Sequence, residues 1–371
     1  MKTAIVHDWL TSLGGAEKVL QAMAQVLPSP IYTLVKNPKT VEILLGQNAM
    51  VSTSFIQNIP LSRKIYRHLL PLFPYAIEQF DLREYDLILS SSHAVAKGVL
   101  THAEQLHICY CHSPMRYAWD LHHQYMQGLG HVSGFLAKHF LHRIRQWDVA
   151  SVPRVDHFIA NSHHVARRIQ RNYGRESIVL YPPVATHLFN AETKKEGFYL
   201  TVSRLVPYKR IDLIAQAFSM TPHRRLVIIG DGPEMGKIKK ISAPNIEILG
   251  HISDEEMRQY MQKAKAFVFA AEEDFGIVPV EAQAAGTPVI AFGKGGALET
   301  VVDGVTGVFF DEQTPPSMNE AVNQFEKMEF DPKAIQLHAQ QFGEQRFKSQ
   351  LQQIIKNKWE IFCENHHSCR R

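Results

Sequence analysis

Residues 266–290 decide the fold, and their sequence is AFVFAAEEDFGIVPVEAQAAGTPVI. The first five of them, residues 266–270, are apolar and predict a buried strand. A polar loop follows this strand and closes at Gly276, behind which a helix begins. Gly286-Thr287-Pro288 then leads into a second apolar strand. A strand, a helix and a strand in this order predict a parallel βαβ unit.

The same alternation of strands and helices runs along the whole chain. In the first half, apolar runs predict strands at residues 3–7, 30–33, 87–90, 105–110, 156–160 and 177–180. In the second half, the patterns predict strands at residues 198–202, 225–229, 246–249 and 266–270, and helices at residues 209–217, 254–262 and 344–364. The sequence therefore predicts an α/β protein with two Rossmann-like parallel sheets.

A polar stretch separates the two series of strands. Residues 191–196 have the sequence AETKKE, which shows no apolar periodicity and is typical of an interdomain linker. We therefore predict an N-terminal domain over residues 1–190 and a C-terminal domain over residues 191–351. Doubly wound sheets bind ligands at the carboxyl ends of their strands, so we expect the functional residues there.

Composition excludes several classes of protein. The 371 residues are 45% hydrophobic and 20% charged, which is typical of a globular protein. The sequence contains no run of 18 apolar residues, so we expect no membrane-spanning helix. The first residues start a strand without a signal segment, and we therefore expect a cytoplasmic location. The four cysteines do not predict a disulfide framework. A net charge of +4 with dispersed cations argues against a nucleic-acid partner.

Two glutamates eight residues apart flank the start of the helix behind Gly276. Glu273 and Glu281 are separated by about 12 Å of helix at 1.5 Å per residue. Each carboxylate can accept two hydroxyl hydrogen bonds, which suits the diols of sugars and riboses. The free N–H groups of the helix start suit an anion. Together these features predict a site for a nucleotide sugar, although Glu281 by itself is more typical of a capping or surface residue.

A basic segment follows the first strand of the second half. Arg204 and Lys209 lie in the sequence SRLVPYKR, between that strand and a predicted helix. The guanidinium offers a planar fork for phosphate oxygens and the ammonium offers a point charge. The alternative is a solvated basic helix start. Because cations are electrostatically disfavoured at a helix N-terminus, we favour a phosphate-binding role.

These motifs resemble the Glu-x7-Glu signature and the basic segment of the retaining GT-B glycosyltransferases of family 4. The resemblance spans most of the chain and implies two Rossmann-like domains that face a deep cleft, with a C-terminal helix, residues 352–371, packed back on the first domain. It implies that Arg204 and Lys209 hold the pyrophosphate, that Glu281 binds the ribose and that Glu273 contacts the donor sugar. Backbone N–H groups of four residues would meet sugar and phosphate oxygens: Phe275, Gly276, Ile277 and Val278.

The resemblance also assigns roles in the first domain. Gly15 follows Gly14 at a helix start and would contact the diphosphate, although such a pair is often only a tight turn. His112 lies at a strand end and would contact the donor sugar, whereas a lone histidine there is more often structural. Arg116 and Asp120 can face the acceptor, but a salt bridge within their loop is an equal alternative.

Asp254 can accept a guanine N–H pair, and it is also well placed as a helix N-cap together with Ser253. The histidine pairs at residues 122–123, 163–164 and 366–367 lack the spacing of a zinc motif, and no Asp-x-Asp motif is present. We therefore expect a metal-independent reaction without a cofactor. Residues 61–73 and 135–147 mix cations with large apolar side chains, which favours either an anionic membrane surface or an ordinary amphipathic helix.

The resemblance thus implies a retaining, metal-independent hexosyltransferase. The segment His112-Ser113-Pro114-Met115-Arg116-Tyr117 looks like bacterial mannosyltransferases of polysaccharide assembly, which implies GDP-mannose as donor and a glycan or lipid-linked glycan as acceptor. The first of the two interpretations of residues 61–73 and 135–147 would place the protein at the inner face of the plasma membrane, and the second would not. The alternatives are a UDP- or dTDP-sugar donor, an epimerase or phosphorylase, and an inactive nucleotide-sugar-binding protein.

Overall fold

The computed structural model describes residues 1–120 and 131–365. The chain divides into two compact units. The first contains residues 1–183 and the C-terminal segment from residue 347, and the second contains residues 184–346.

The first unit is built on a parallel seven-stranded sheet of order β3-β2-β1-β4-β5-β6-β7. Its strands are β1 (Thr3–His7), β2 (Ile31–Thr33), β3 (Val51–Thr53), β4 (Leu87–Ser92), β5 (Leu106–Cys111), β6 (His157–Ala160) and β7 (Ser177–Val179). The central strands β4 and β5 are buried at every position, because helices cover both faces of the sheet.

Helices connect these strands. Those of the first unit are α1 (Gly15–Val26), α2 (Pro38–Leu45), α3 (Ser62–Ile65), α4 (Phe73–Glu78), α5 (His131–Ala150) and α6 (His163–Tyr173). The second unit then adds α7 (Ile211–Ser219), α8 (Met235–Ile241), α9 (Asp254–Lys263), α10 (Ile277–Ala284), α11 (Ala297–Thr300), α12 (Pro315–Phe325) and α13 (Pro332–Gln340). A final helix, α14 (Glu344–Asn365), buries Phe347, Leu351 and Ile355 in the core of the first unit.

The second unit has a parallel six-stranded sheet of order β10-β9-β8-β11-β12-β13. Its strands are β8 (Phe198–Val202), β9 (Arg225–Ile229), β10 (Ile246–Gly250), β11 (Ala266–Phe269), β12 (Val289–Phe292) and β13 (Gly307–Phe310). The residues 191–196, interpreted from sequence as a linker, are tied to this unit. Lys195 Nζ donates to Gln262 O and Ala285 O at 2.9 Å and to Thr287 Oγ1 at 2.6 Å.

Most predicted elements are present with ends shifted by one or two residues. The strands β3 and β13 were not predicted. The sequence of β3, VST, is mostly polar and that of β13, GVFF, begins with a glycine, so neither stands out as an apolar run. The helix predicted from residue 209 begins at Ile211 instead. Arg210 precedes it in a left-handed conformation, with φ of 55°, and this turn ends the short 3₁₀ segment Pro207–Lys209.

Each sheet reverses its strand order at one point. In the first unit the reversal lies between β1 and β4, and in the second between β8 and β11. At such a point the two connections leave in opposite directions and open a crevice outside the carboxyl ends of the strands. The side chains that follow β1, β4, β8 and β11 therefore define where each unit can bind a ligand.

Candidate functional site

In the second unit, an ion pair joins the segments that follow β8 and β11. Lys209 Nζ pairs with Glu273 Oε1, and each side chain is only 18% exposed. Arg204 lies nearer to β8, is exposed and donates from Nη2 to the hydroxyl of Tyr208 at 3.0 Å. A guanidinium, an ammonium and a carboxylate thus occur together at the reversal point, with the two cations on one short segment.

Close backbone packing fixes the segment that carries Arg204. The loop after β9 passes so near that a Cβ built on Gly230 would lie 1.8 Å from Ser203 O. Gly230 also has a φ of 135°, a conformation that side chains rarely adopt. Leu205 N donates to Asp231 O at 2.9 Å and completes the contact between the two loops. Only glycine allows this approach, so the sequence Gly-Asp-Gly positions Arg204 indirectly.

The helix predicted behind Gly276 is α10. Gly276 is its N-cap and has a φ of 88°, so the turn requires a residue without a side chain. Ile277 and Val278 form the first turn, and Phe275 is buried in front of it. Glu281 follows one turn later and is 5% exposed. A carboxylate that is almost fully buried does not fit the alternative of a surface glutamate.

A glycine loop that the sequence reasoning missed supports Glu273. Gly296 N donates to Glu273 O at 2.8 Å, and the loop Lys294-Gly295-Gly296 follows β12. Two adjacent glycines at the end of an apolar strand were the signal available in the sequence. Nearby, Gln313 Nε2 donates to Ala270 O at 2.8 Å, and Gln313 Oε1 accepts from Arg210 Nη1 at 3.1 Å.

Asp254 is the first residue of α9 and is exposed. The N-cap is Ser253, whose Oγ accepts from Glu256 N while the Glu256 carboxylate accepts from Ser253 N, which forms a capping box. Asp254 therefore lies in the first turn, where its negative charge interacts favourably with the helix dipole.

In the first unit, His112 directly follows β5 and is held at three atoms. Its backbone N donates to Ser92 O at 2.8 Å, and its backbone O accepts from Asn161 Nδ2 at 2.9 Å. Ser91 Oγ lies 2.8 Å from His112 Nε2 and 3.0 Å from His7 Nδ1, so the hydroxyl links the two imidazoles. Burial lowers the pKa of His112 well below its usual value, which keeps the ring neutral.

Gly15 is the first residue of α1 and is exposed, with Gly14 as N-cap. Glu17 lies in the same first turn but is buried, and burial raises the pKa of its carboxyl group. Its Oε2 would be 2.8 Å from a Cβ built on Gly14. A carboxyl group therefore lies against the helix start that was predicted to contact a diphosphate.

A buried carboxylate of the first unit, Asp8, directly follows β1. Its carboxylate is fully buried and accepts from the backbone N of His93, Ala94, Val95 and Ala96 at 2.7–3.0 Å. Asp8 Oδ2 also lies 3.0 Å from His93 Nδ1. One side chain thus fixes the loop after β4 to the end of β1, across the reversal point of the sheet.

The loop after His112 is anchored to helices. Asp120 forms an ion pair with Arg168 of α6, and Arg116 is partly buried. Trp119 Nε1 donates to Asp148 Oδ2 at 2.8 Å, and Asp148 also pairs with the buried Lys97 at 2.8 Å. These contacts hold the loop between His112 and Asp120 on α5 and α6.

Among the described residues, no group of three or more histidines, cysteines and acids is arranged to hold a metal ion. The histidine pairs at residues 122–123 and 366–367 lie outside the described residues. Within the same limits, no helix has the length and apolar composition needed to cross a membrane.

Comparison with known proteins finds a similarity in the second unit. Residues 186–346 match the model of a family described as "Glycosyl transferases group 1". This segment is similar to the group 1 glycosyltransferases. The match contains Arg204, Lys209, Glu273 and Glu281.

Individual relatives agree with this match. An uncharacterized glycosyltransferase of Methanocaldococcus jannaschii is 31% identical over 172 residues, which are 45% of this chain and 48% of that protein. A GDP-mannose-dependent alpha-(1-6)-phosphatidylinositol monomannoside mannosyltransferase of Mycobacterium tuberculosis is 33% identical over 138 residues, 33% of this chain and 36% of that protein. The chain spans about half the length of these curated relatives, or less.

Solved structures match the fold of almost the entire chain. The Anabaena protein HepE in complex with UDP-glucose has a TM-score of 0.68 at 20% identity, and the match covers 96% of this chain and 100% of that chain. Sucrose-phosphate synthase from Thermosynechococcus elongatus has a TM-score of 0.72 at 17% identity, and the match covers 97% of this chain and 100% of that chain. The predicted α/β class and the two Rossmann-like parallel-sheet domains of the GT-B fold are confirmed.

Proposed function

We propose that the chain is a glycosyltransferase that moves a hexose from a nucleotide sugar to a hydroxyl of a glycan or lipid-linked glycan. One observation carries the proposal. Lys209 and Glu273 pair at the reversal point of the second sheet, within the segment that matches the group 1 glycosyltransferase family. A cation and a carboxylate there suit the phosphates and the hydroxyls of one nucleotide sugar.

The proposed roles follow from charge. Arg204 and Lys209 stabilise the diphosphate as it leaves, because the C1–O bond to phosphate breaks and negative charge grows there. Glu281 binds the ribose, and Glu273 contacts hydroxyls of the donor hexose. The N–H groups behind Gly276 meet sugar and phosphate oxygens.

Residues of the first unit take supporting roles in this proposal. The neutral His112 contacts the donor hexose, and Gly15 approaches the diphosphate. Arg116 and Asp120 bind the acceptor, although the pairing of Asp120 with Arg168 also serves to hold the loop. In the second unit, Asp254 reads the base. The reaction proceeds with retention at the anomeric carbon, without a metal ion or cofactor.

We favour GDP-mannose as the donor. The support comes from the mannosyltransferase-like sequence that begins at His112 and from the M. tuberculosis relative, whose name specifies GDP-mannose. A UDP-sugar is the second candidate, because the HepE structure of similar fold contains UDP-glucose.

Calorimetric titration with GDP, UDP and dTDP, each with and without EDTA, tests the proposal. If GDP binds more tightly than UDP and dTDP, and EDTA does not change its affinity, the result supports GDP-mannose as the donor. A preference for UDP or dTDP keeps the reaction and replaces the donor. Loss of binding in EDTA overturns the metal-independent mechanism. Failure to bind any of the three nucleotides overturns the proposed function.

A surface of the first unit suits contact with an anionic membrane at the inner face of the cell. We define this basic surface as residues 61–75. Leu61 is 69% exposed and Tyr75 is 62% exposed, and between them Arg63, Lys64 and Arg67 are exposed cations. Apolar groups beside cations bind the headgroup region of anionic lipids. Other side chains of residues 61–75, Tyr66 and Phe73, are buried in the core of the first unit. The predicted stretch 135–147 likewise buries Ile144 in this core, although Phe135 is exposed.

Sedimentation with vesicles tests this surface. The protein should bind vesicles that contain phosphatidylglycerol and not vesicles of phosphatidylcholine alone. The double substitution Leu61→Ser with Lys64→Ser should release it, whereas Lys333→Ser, on an exposed helix of the second unit, should not. Equal sedimentation with both kinds of vesicle, or no effect of the double substitution, contradicts the assignment.

A further inference from the structure

Asp8 and His93 form a side-chain pair at the reversal point of the first sheet. Asp8 follows β1 and His93 follows β4, the two strands between which the strand order reverses. This is the position at which doubly wound sheets bind ligands. In the second unit, the equivalent position holds Lys209 and Glu273.

The loop that carries His93 is held rigidly. Four consecutive backbone N–H groups, from His93 to Ala96, donate to the Asp8 carboxylate. Asp8 has no exposed surface, so water does not compete for these bonds. The backbone that carries the His93 side chain is therefore fixed before any ligand arrives, which lowers the entropic cost of binding.

The charge of Asp8 favours one tautomer of His93. Nδ1 is buried 3.0 Å from Asp8 Oδ2, a close electrostatic contact whose geometry is not that of a hydrogen bond. A proton on Nδ1 faces a carboxylate favourably, whereas an Nδ1 lone pair would repel it. Proximity to a carboxylate is a common way of fixing the tautomer of an imidazole. In the neutral ring, Nε2 is then the hydrogen-bond acceptor.

The far side of the ring is available to a ligand. Across the residues that the structure describes, none hydrogen-bonds to His93 Nε2, and the side chain is 26% exposed. Three aromatic rings pack around the His93 imidazole. The distance from its ring centroid is 4.3 Å to Trp9 and about 6 Å to His7 and to His112. Glu17 and Asp8 are the acidic groups that face it.

We propose that His93 Nε2 accepts a hydrogen bond from a hydroxyl of a substrate hexose, and that Asp8 acts as the positioning residue for this contact. The inference rests on the proposed function. The hexose can belong to the donor or to the acceptor, since both offer the same hydroxyl chemistry. His93 thereby extends the sugar contact proposed for His112, whose ring lies beside it.

Nuclear magnetic resonance of protein labelled with ¹⁵N-histidine tests the tautomer and the contact. His93→Asn identifies the His93 signals by their disappearance. We expect Nδ1 to be protonated and Nε2 to be bare, and we expect GDP to leave the Nε2 signal in place. A shift on addition of GDP-mannose assigns the donor hexose, and a shift on addition of methyl α-D-mannoside assigns an acceptor hexose. A proton on Nε2, or no shift with either sugar, overturns the inference.

Calorimetry on two variants separates binding from a structural role. His93→Asn keeps a donor towards Asp8 but removes the acceptor at the far side, whereas His93→Gln can restore an acceptor there. If the donor hexose is bound, His93→Asn weakens GDP-mannose by about threefold to tenfold and leaves GDP unchanged, and His93→Gln recovers part of the loss. If the acceptor hexose is bound, the same variant loses methyl α-D-mannoside instead.

The control is His223→Asn, at an exposed turn of the second unit, which should change nothing. Unchanged affinity of His93→Asn for both sugars contradicts the inference. This outcome is distinct from failure of the proposed function. The proposed function fails only if the wild-type protein binds none of the nucleotides.

Discussion

Lys209 and Glu273 are each other's ion-pair partners across the reversal point of the second sheet. Glu273 is 64 residues further along the chain, yet the parallel arrangement of β8 and β11 brings the two segments together. The pair neutralises the ammonium, so an anion that binds Lys209 must compete with the Glu273 carboxylate. Their effects on a bound diphosphate should therefore be opposite in sign.

We expect Lys209→Ala to weaken GDP binding by about tenfold to a hundredfold, because a charge-assisted contact is lost. Glu281→Ala should weaken it by a smaller factor through the ribose. Glu273→Gln should leave GDP affinity unchanged or higher, while turnover of the nucleotide sugar falls. Calorimetry and the release of nucleotide measure the two effects.

The matched control for these variants is Arg225→Ala. Arg225 also pairs with a glutamate, Glu247 at 2.8 Å, but on an exposed part of the same unit. It should change neither affinity nor turnover. Weaker GDP binding in Glu273→Gln than in the wild type would show that the pair does not compete with the diphosphate. Unchanged affinity in both Lys209→Ala and Glu281→Ala would defeat the site assignment.

Gly230→Ala should lower both stability and nucleotide affinity. The new Cβ would lie 1.8 Å from Ser203 O at a φ of 135°, so the segment that carries Arg204 must move. We expect a loss of more than about 2 kcal/mol in the free energy of unfolding, measured by circular dichroism in urea.

Gly236→Ala is the control for this substitution. Gly236 lies inside α8, and a Cβ there meets nothing within 4 Å. Because alanine favours a helix more than glycine does, this variant should be stabilised by about 0.5–1 kcal/mol. Equal behaviour of the two variants would contradict the close approach of the loops after β8 and β9.

Asp8→Asn should destabilise the first unit by about 3 kcal/mol, because an amide cannot accept four backbone N–H bonds and turns its own donors towards them. All four tryptophans lie in segments of the first unit, so their fluorescence in urea reports on its unfolding alone. Asp81→Asn, at an exposed aspartate paired with Arg83, should leave the midpoint unchanged. A small effect of Asp8→Asn would mean that the loop after β4 is held by other contacts.

The first unit should lose stability in mild acid. Burial lowers the pKa of His7 and of His107 from 6.5 to about 4. Between these values the unfolded chain binds more protons than the folded one, so stability is full above pH 6.5 and falls as the pH drops towards 4. The loss is about 3 kcal/mol for each imidazole.

Urea midpoints from tryptophan fluorescence at pH 7.5, 6 and 5 measure this slope. His107→Asn removes one of these imidazoles, and its amide can still donate to Arg154 O, which lies 2.7 Å from Nδ1 in the wild type. The pKa of His112 is also lowered by burial, so His7 and His112 remain and the slope should fall by about a third. An unchanged slope would show that other groups take up the protons.

Much of the fold was accessible from local pattern. Apolar runs such as residues 3–7 and 198–202 coincide with β1 and β8, because strands buried on both faces need continuous apolar sequence. The short strands β3 and β13 escaped notice, as did the left-handed turn at Arg210 that delays α7. A cap of this kind depends on tertiary contacts, here the bond from Arg210 to Gln313, and not on propensity.

By itself, the sequence determined the α/β class, the two series of strands and the motif that contains Arg204, Lys209, Glu273 and Glu281. These features are local, because a glycine turn, a helix start and the charges around them lie within a few residues of one another. Only the tertiary structure decided that Lys209 pairs with Glu273 and that Asp8 holds His93. The first pair is separated by 64 positions in the chain and the second by 85. The members of each pair meet because parallel strands bring their carboxyl ends to one edge of a sheet. That pairing of strands is not encoded in any short stretch of sequence.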